Sequence, residues 1–206
     1  MDNLEYLNHI AQSNRPTRAA RASASTSLII KILLAGLVLF FILLAIGSTL
    51  GNRTAKVSDL TKQLYVRTEN LNSTLTTYNP HLKSSQLRAI GLSLSGTLTA
   101  ASSQLSTYLN SVSSSKNALV PNAEIAASEA DVANALDQAL ENAKLNGILD
   151  RTYATQIQLQ VSLILSMISQ LSARADDEEL STILVNYLSS LIVVEESLEN
   201  YSNPSD

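Results

Sequence analysis

His9 and His81 are the two histidines of the chain, and there is no cysteine. A transition-metal site needs several such ligands converging on one point. One imidazole precedes the long apolar stretch at 28–50 and the other follows it. If that stretch crosses a bilayer, the two cannot meet. The Glu-x-x-His pairs that hold di-iron centres in helical bundles are absent from the sequence. Lack of cysteine also removes disulfides, zinc–thiolate sites, iron–sulfur clusters and thiol nucleophiles.

Hydroxyls and carboxylates remain as candidate chemistry. Serines are numerous, but none sits in a Gly-x-Ser-x-Gly elbow. Ser113 to Lys116 is formally Ser-x-x-Lys, yet it belongs to a serine-rich turn without supporting motifs. No phosphate-binding glycine loop occurs. Asp176 to Glu179, and Glu195, Glu196 and Glu199, are acidic enough to attract calcium. Without an EF-hand-like loop they read as a helix start and a solvated helix face. The expectation is therefore a protein with no cofactor, no metal and no catalytic constellation.

The elements that would position any site begin with Leu28 to Leu50, whose single charge is Lys31. As a helix it measures ~34 Å, enough for a ~30 Å hydrocarbon core. The alternative is a signal peptide cut after Gly47, where Ala45 and Gly47 are small. The long leader and long apolar run favour a permanent anchor over cleavage. Basic residues flank it on both sides: Arg15, Arg18, Arg21 and Lys31 before, Arg53, Lys56, Lys62 and Arg67 after. These are the candidate contacts with anionic headgroups, at about 1 kcal/mol each near a charged surface. Because the two groups balance, the positive-inside rule does not choose an orientation. Long C-terminal domains translocate largely regardless of charge, which places the N-terminus in the cytoplasm. A Ser/Thr-rich remainder without cysteine suits an extracytoplasmic space.

Charge is unevenly distributed. Residues 1–88 carry ten Lys/Arg against four Asp/Glu, and residues 89–206 carry four against fourteen. A nucleic-acid binder would hold its basic patch on the folded domain, so nucleic acid is not an expected partner. The expected partners are the membrane, spanned once, and a protein or a second copy of the chain.

After the apolar stretch, five helical patterns follow. Val57, Leu64, Leu71 and Tyr78 recur every seven residues, with Leu60 and Leu75 beside them. Leu87, Leu94, Ala101 and Tyr108 form the next stripe, with Leu98, Leu105 and Val112. No charged residue lies between Arg88 and Lys116. Such a helix is either central in a bundle or packed on a partner subunit, and the first needs no partner. Pro121 or Asn122 opens a third helix with Ile125, Val132, Leu136, Leu140 and Ala143 inward and Glu124, Glu129, Asp131, Asp137 and Glu141 outward. Asn146-Gly147 closes it. Asp150 is the expected cap of a fourth helix striped by Tyr153, Ile157, Ile164, Ile168 and Leu171. Asp176 with Glu179 starts a fifth, running from Leu180 to Tyr201.

The fold class expected is all-α: a single N-terminal transmembrane helix followed by an extracytoplasmic up-down bundle of four to five helices. The divisions are a cytoplasmic tail at 1–27, the span at 28–50, a juxtamembrane helix at 51–79, the bundle at 80–202 and a tail at 203–206. In architecture alone the layout resembles anchored four-helix sensor domains of bacterial receptors. The function expected is non-catalytic binding, scaffolding or assembly at the cell envelope. The alternatives are a small-ligand-binding, sensor-like bundle with a pocket between the second and fourth helices, or a bundle secreted after signal cleavage.

Overall fold

The computed structural model describes residues 56–113 and 118–202. The expected span at 28–50, the tails and the basic residues up to Arg53 lie outside these. Among the described residues the chain is all-α, with no strand. No described helix is long and apolar enough to cross a membrane.

Helix α1 is Val57–Tyr78, α2 Ser85–Val112, α3 Ala123–Leu145, α4 Leu149–Ser172 and α5 Glu178–Ser202. Several of the ends have a local cause. Pro80 has no N–H to continue α1, and a short 3₁₀ turn at Asn79–His81 follows. Ser84 caps α2 by accepting from the Leu87 N–H at 3.2 Å, and Asn122 caps α3 by accepting from the Ile125 N–H at 2.9 Å. Gly147, at φ +72°, closes α3 in the left-handed conformation that glycine adopts without penalty.

Two expected caps are corrected. The N-cap of α4 is Ile148, without a side-chain bond. Asp150 lies inside the first turn, and its carboxylate instead accepts from the Lys83 and Ser84 N–H groups at 3.0 and 2.8 Å. It therefore ties the α1–α2 turn to the start of α4. At α5 the cap is Asp177, not Asp176: its Oδ1 accepts from the Leu180 N–H at 2.9 Å.

The heptad stripes become the core. Leu64, Leu75, Leu87, Leu94, Leu98, Leu105, Ile157, Ile164 and Ile168 are all fully buried. Four helices form a ring in the order α1, α2, α5, α4, and α3 lies outside, over α1 and α4. The hydrogen bonds give the directions. Glu129 of α3 meets Gln63 and Arg67, and Asp137 meets Thr74 and Tyr78, so α3 runs parallel to α1. Helices consecutive in the chain alternate in direction, but α2 and α3 are not neighbours in the ring, since α5 takes the place beside α2. The 57–78 helix, set apart in the sequence reading as juxtamembrane, is one wall of this ring. Helix α2 is another wall rather than a central helix, and half of its circumference faces out. Val112, expected in its stripe, is exposed.

At the closed end of the α1–α2 hairpin, Gly91 passes against two polar groups. A Cβ at this position would stand 2.5 Å from Asn79 Oδ1 and 2.7 Å from the Tyr153 hydroxyl. Both atoms are buried without a hydrogen-bond partner among the described residues. At Gly96, one turn and a half further on, a Cβ meets nothing within 4 Å. Gly91→Ala will therefore destabilise the bundle by about 1–3 kcal/mol. Gly96→Ala will stabilise it by about 0.5–1 kcal/mol, because alanine loses less backbone entropy in a helix. Thermal denaturation followed by circular dichroism checks the opposite signs.

Candidate interaction face

Arg67 and Glu129 were expected to face water or headgroups, and the structure buries both. Arg67 Nε and Nη2 donate to Glu129 Oε2 and Oε1 at 2.7 and 2.9 Å, with the side chains 5% and 1% exposed. Gln63 Nε2 donates to the same carboxylate at 2.7 Å. The bidentate fork satisfies both charges in a place where neither could stand alone. It joins the outer helix α3 to α1. A void of only about 10 Å³ remains beside it, lined by Arg67, Glu129 and Gln160 among others, which is room for roughly one water.

Of the other expected membrane-proximal cations, Lys56 is exposed just before α1 and Lys62 is half-buried. Arg15, Arg18, Arg21, Lys31 and Arg53 lie outside the described residues. Among the described residues the structure thus brings no expected site residues together, and it removes Arg67 from the set that a headgroup could reach. His81 is exposed near the Asn79-Pro80 turn. Among the described residues no group of three or more His, Asp or Glu side chains could hold a metal ion. Tyr187 and Tyr153 are buried, and burial raises both phenol pKa values well above 10. Tyr187 shares a 3.0 Å hydrogen bond with Thr68. Thr68 already donates to the Leu64 carbonyl at 2.7 Å, so Tyr187 supplies the proton.

The feature that sequence reasoning undervalued is where charge is missing. Helices α1 and α3 carry Asp59, Lys62, Arg67, Glu69, Glu124, Glu129, Asp131, Asp137, Glu141 and Lys144. Helix α2 has no charged residue after Arg88, α4 has none after Arg151, and α5 has none between Glu179 and Glu195. Helices α2 and α5 are ring neighbours on the side away from α3. Their outward positions are Ser, Thr, Asn, Gln, Gly and Ala, together with the exposed apolar side chains of Leu92, Val112, Val185, Ile192 and Val193. A groove of about 770 Å³ runs between them, lined by Ser103, Gln104 and Thr107 of α2 and by Thr182, Ile183 and Asn186 of α5. Asp177, Glu178 and Glu179 line its end at the start of α5. Solvated helix surfaces normally carry interspersed charges. Depletion of charge marks the centre of an interface.

Comparison with protein-family models, curated proteins and solved structures finds no match to this chain.

The buried pair generates a double-mutant prediction. Glu129→Ala leaves the Arg67 guanidinium buried and unpaired, and will cost about 3–5 kcal/mol. Replacing both partners, Arg67→Met with Glu129→Leu, will restore most of that loss. Chemical denaturation of the two single variants and the double variant measures the coupling. Additive losses would mean that the two charges do not interact.

Proposed function

We propose that this chain is a single-pass, membrane-anchored bundle with a non-catalytic binding or assembly role, working through the uncharged α2–α5 face. Residues 28–50 form the anchor in this reading, with 1–27 on the cytoplasmic side and the bundle outside. The anchor rests on the length and apolarity of 28–50 alone. The observation that carries the binding role is the exposed face of two adjacent helices that has no charge to strip of water from Ala89 to Val112 and from Leu180 to Val194, with carboxylates only at its ends.

Fractionation of cells producing the full chain tests the anchor. The uncleaved protein is expected in the pellet after a detergent-free high-speed spin, and to resist alkaline washing. Protease added to intact cells is expected to remove epitopes in α3 but not one at the N-terminus. Intact full-length chain in the supernatant would overturn the anchor. Digestion of the bundle only after lysis would reverse the orientation. A mature N-terminus at Ser48 would convert the anchored protein into a released one.

A further inference from the structure

We infer that α3 is a releasable strap: it leaves the bundle as a unit while the four-helix ring stays folded, and its departure uncovers the Arg67 guanidinium. The inference goes beyond the proposed function and uses neither the α2–α5 face nor the anchor.

The ring closes without α3. Helix α1 packs on α2 and on α4, and α5 completes the circle between those two. Leu64, Leu98, Ile164 and Leu191, one from each ring helix, are fully buried. Helix α3 buries four side chains, where α1 and α4 bury nine each. In its first half, Ala123 to Ala133, the one buried side chain is Glu129, with Ile125 and Val132 half-buried. Elements with few buried apolar groups open at lower free energy than the core.

The seam between α1 and α3 is polar along its length. Gln63, Arg67, Asn70, Thr74 and Tyr78 stand three or four residues apart on one face of α1, and each donates to α3. The Glu129 carboxylate accepts from Gln63 and Arg67, and the Glu129 carbonyl accepts from Asn70 at 3.4 Å. The Asp137 carboxylate accepts from Thr74 at 2.8 Å, and the Asp137 carbonyl accepts from Tyr78 at 3.0 Å. Water replaces each of these bonds when the helices part, so each holds them together only modestly. The ion pair follows the same rule. Deleting one partner strands the other in a dry site, whereas lifting α3 wets both charges at once. Separating two ring helices has no such compensation, because it exposes Leu and Ile to water.

Both connections of α3 are placed to act as hinges. Ala118 and Leu149 are buried and fix the chain to the ring on either side. Between them and the helix lie the short segments 120–122 and 146–148, with Val120 and Ile148 exposed. Loop residues at element ends absorb the backbone changes of such a motion. The open form presents Arg67 with Asn70, Thr74 and Gln160 beside it, groups that now line the narrow gap under α3.

Amide hydrogen exchange of the full chain in detergent micelles, read by mass spectrometry, tests the strap. At low urea, α3 is expected to exchange faster than α2 and α5 by on the order of tenfold or more. Its rate is expected to depend less steeply on urea, because a small opening exposes little surface. Leu191→Ala lies in α5, whose ring neighbours are α2 and α4, and weakens the ring without touching the α1–α3 seam. It is expected to speed exchange in α2 and α5 on the order of a hundredfold and to leave the α3 rate unchanged. Equal rates and equal urea slopes for α3 and the ring in the unsubstituted chain would overturn the strap. So would a Leu191→Ala chain in which α3 accelerates by the same factor as the ring. The first comparison needs no variant, so it judges the inference whether or not Leu191→Ala folds.

Discussion

Taking a charge out of water is the most expensive thing a protein of this kind can do, and the whole bundle is arranged around that cost. Where charge is buried, at Arg67 and Glu129, it is matched in a two-pronged ion pair with Gln63 as a further donor. Elsewhere charge is gathered on the outer parts of α1 and α3 and at the helix ends. What is left without charge is α2 after Arg88, α4 after Arg151 and the middle of α5, of which the α2–α5 side carries no outer helix.

The interior holds together on aliphatic burial. With neither tryptophan nor cysteine, the ring is closed by Leu and Ile at heptad positions, each contributing about 1.5–3 kcal/mol when fully buried. Polar groups add register more than energy. Asp150 fixes the α1–α2 turn against α4, and the Thr68–Tyr187 bond sets α5 against α1. Helix α3 is the odd member. Glu129, Leu136, Leu140 and Ala143 are its buried side chains, so the ion pair is a large share of its attachment. That arrangement leaves the opposite side of the ring without an outer helix.

Most of the helices were legible in the sequence, because heptad stripes and capping residues are local signals. Asn122, Gly147, and the stripes of α1, α4 and α5 stand where spacing put them. The misreadings came from treating residue type as stronger than position. Glu129 stands seven residues before Leu136, and Arg67 lies between Leu64 and Leu71 at helical spacing. Both occupy core positions of their helices, and their charges disguised it. Asp150 was read as a local cap because its donors lie more than sixty residues away in sequence, and no local rule finds them. The order of helices around the ring was likewise not legible, since short connections fix direction but not which helix stands beside α2. That order is what turned the uncharged run after Arg88 from a buried helix into an exposed face.

The most direct measurement of this account is the exchange of arginine side-chain Nε–H protons with water, read by nuclear magnetic resonance. The Arg67 proton, buried against Glu129, should exchange far more slowly than that of the exposed Arg151. Equal exchange at the two positions would show the Arg67 charge open to water, and would contradict the central claim.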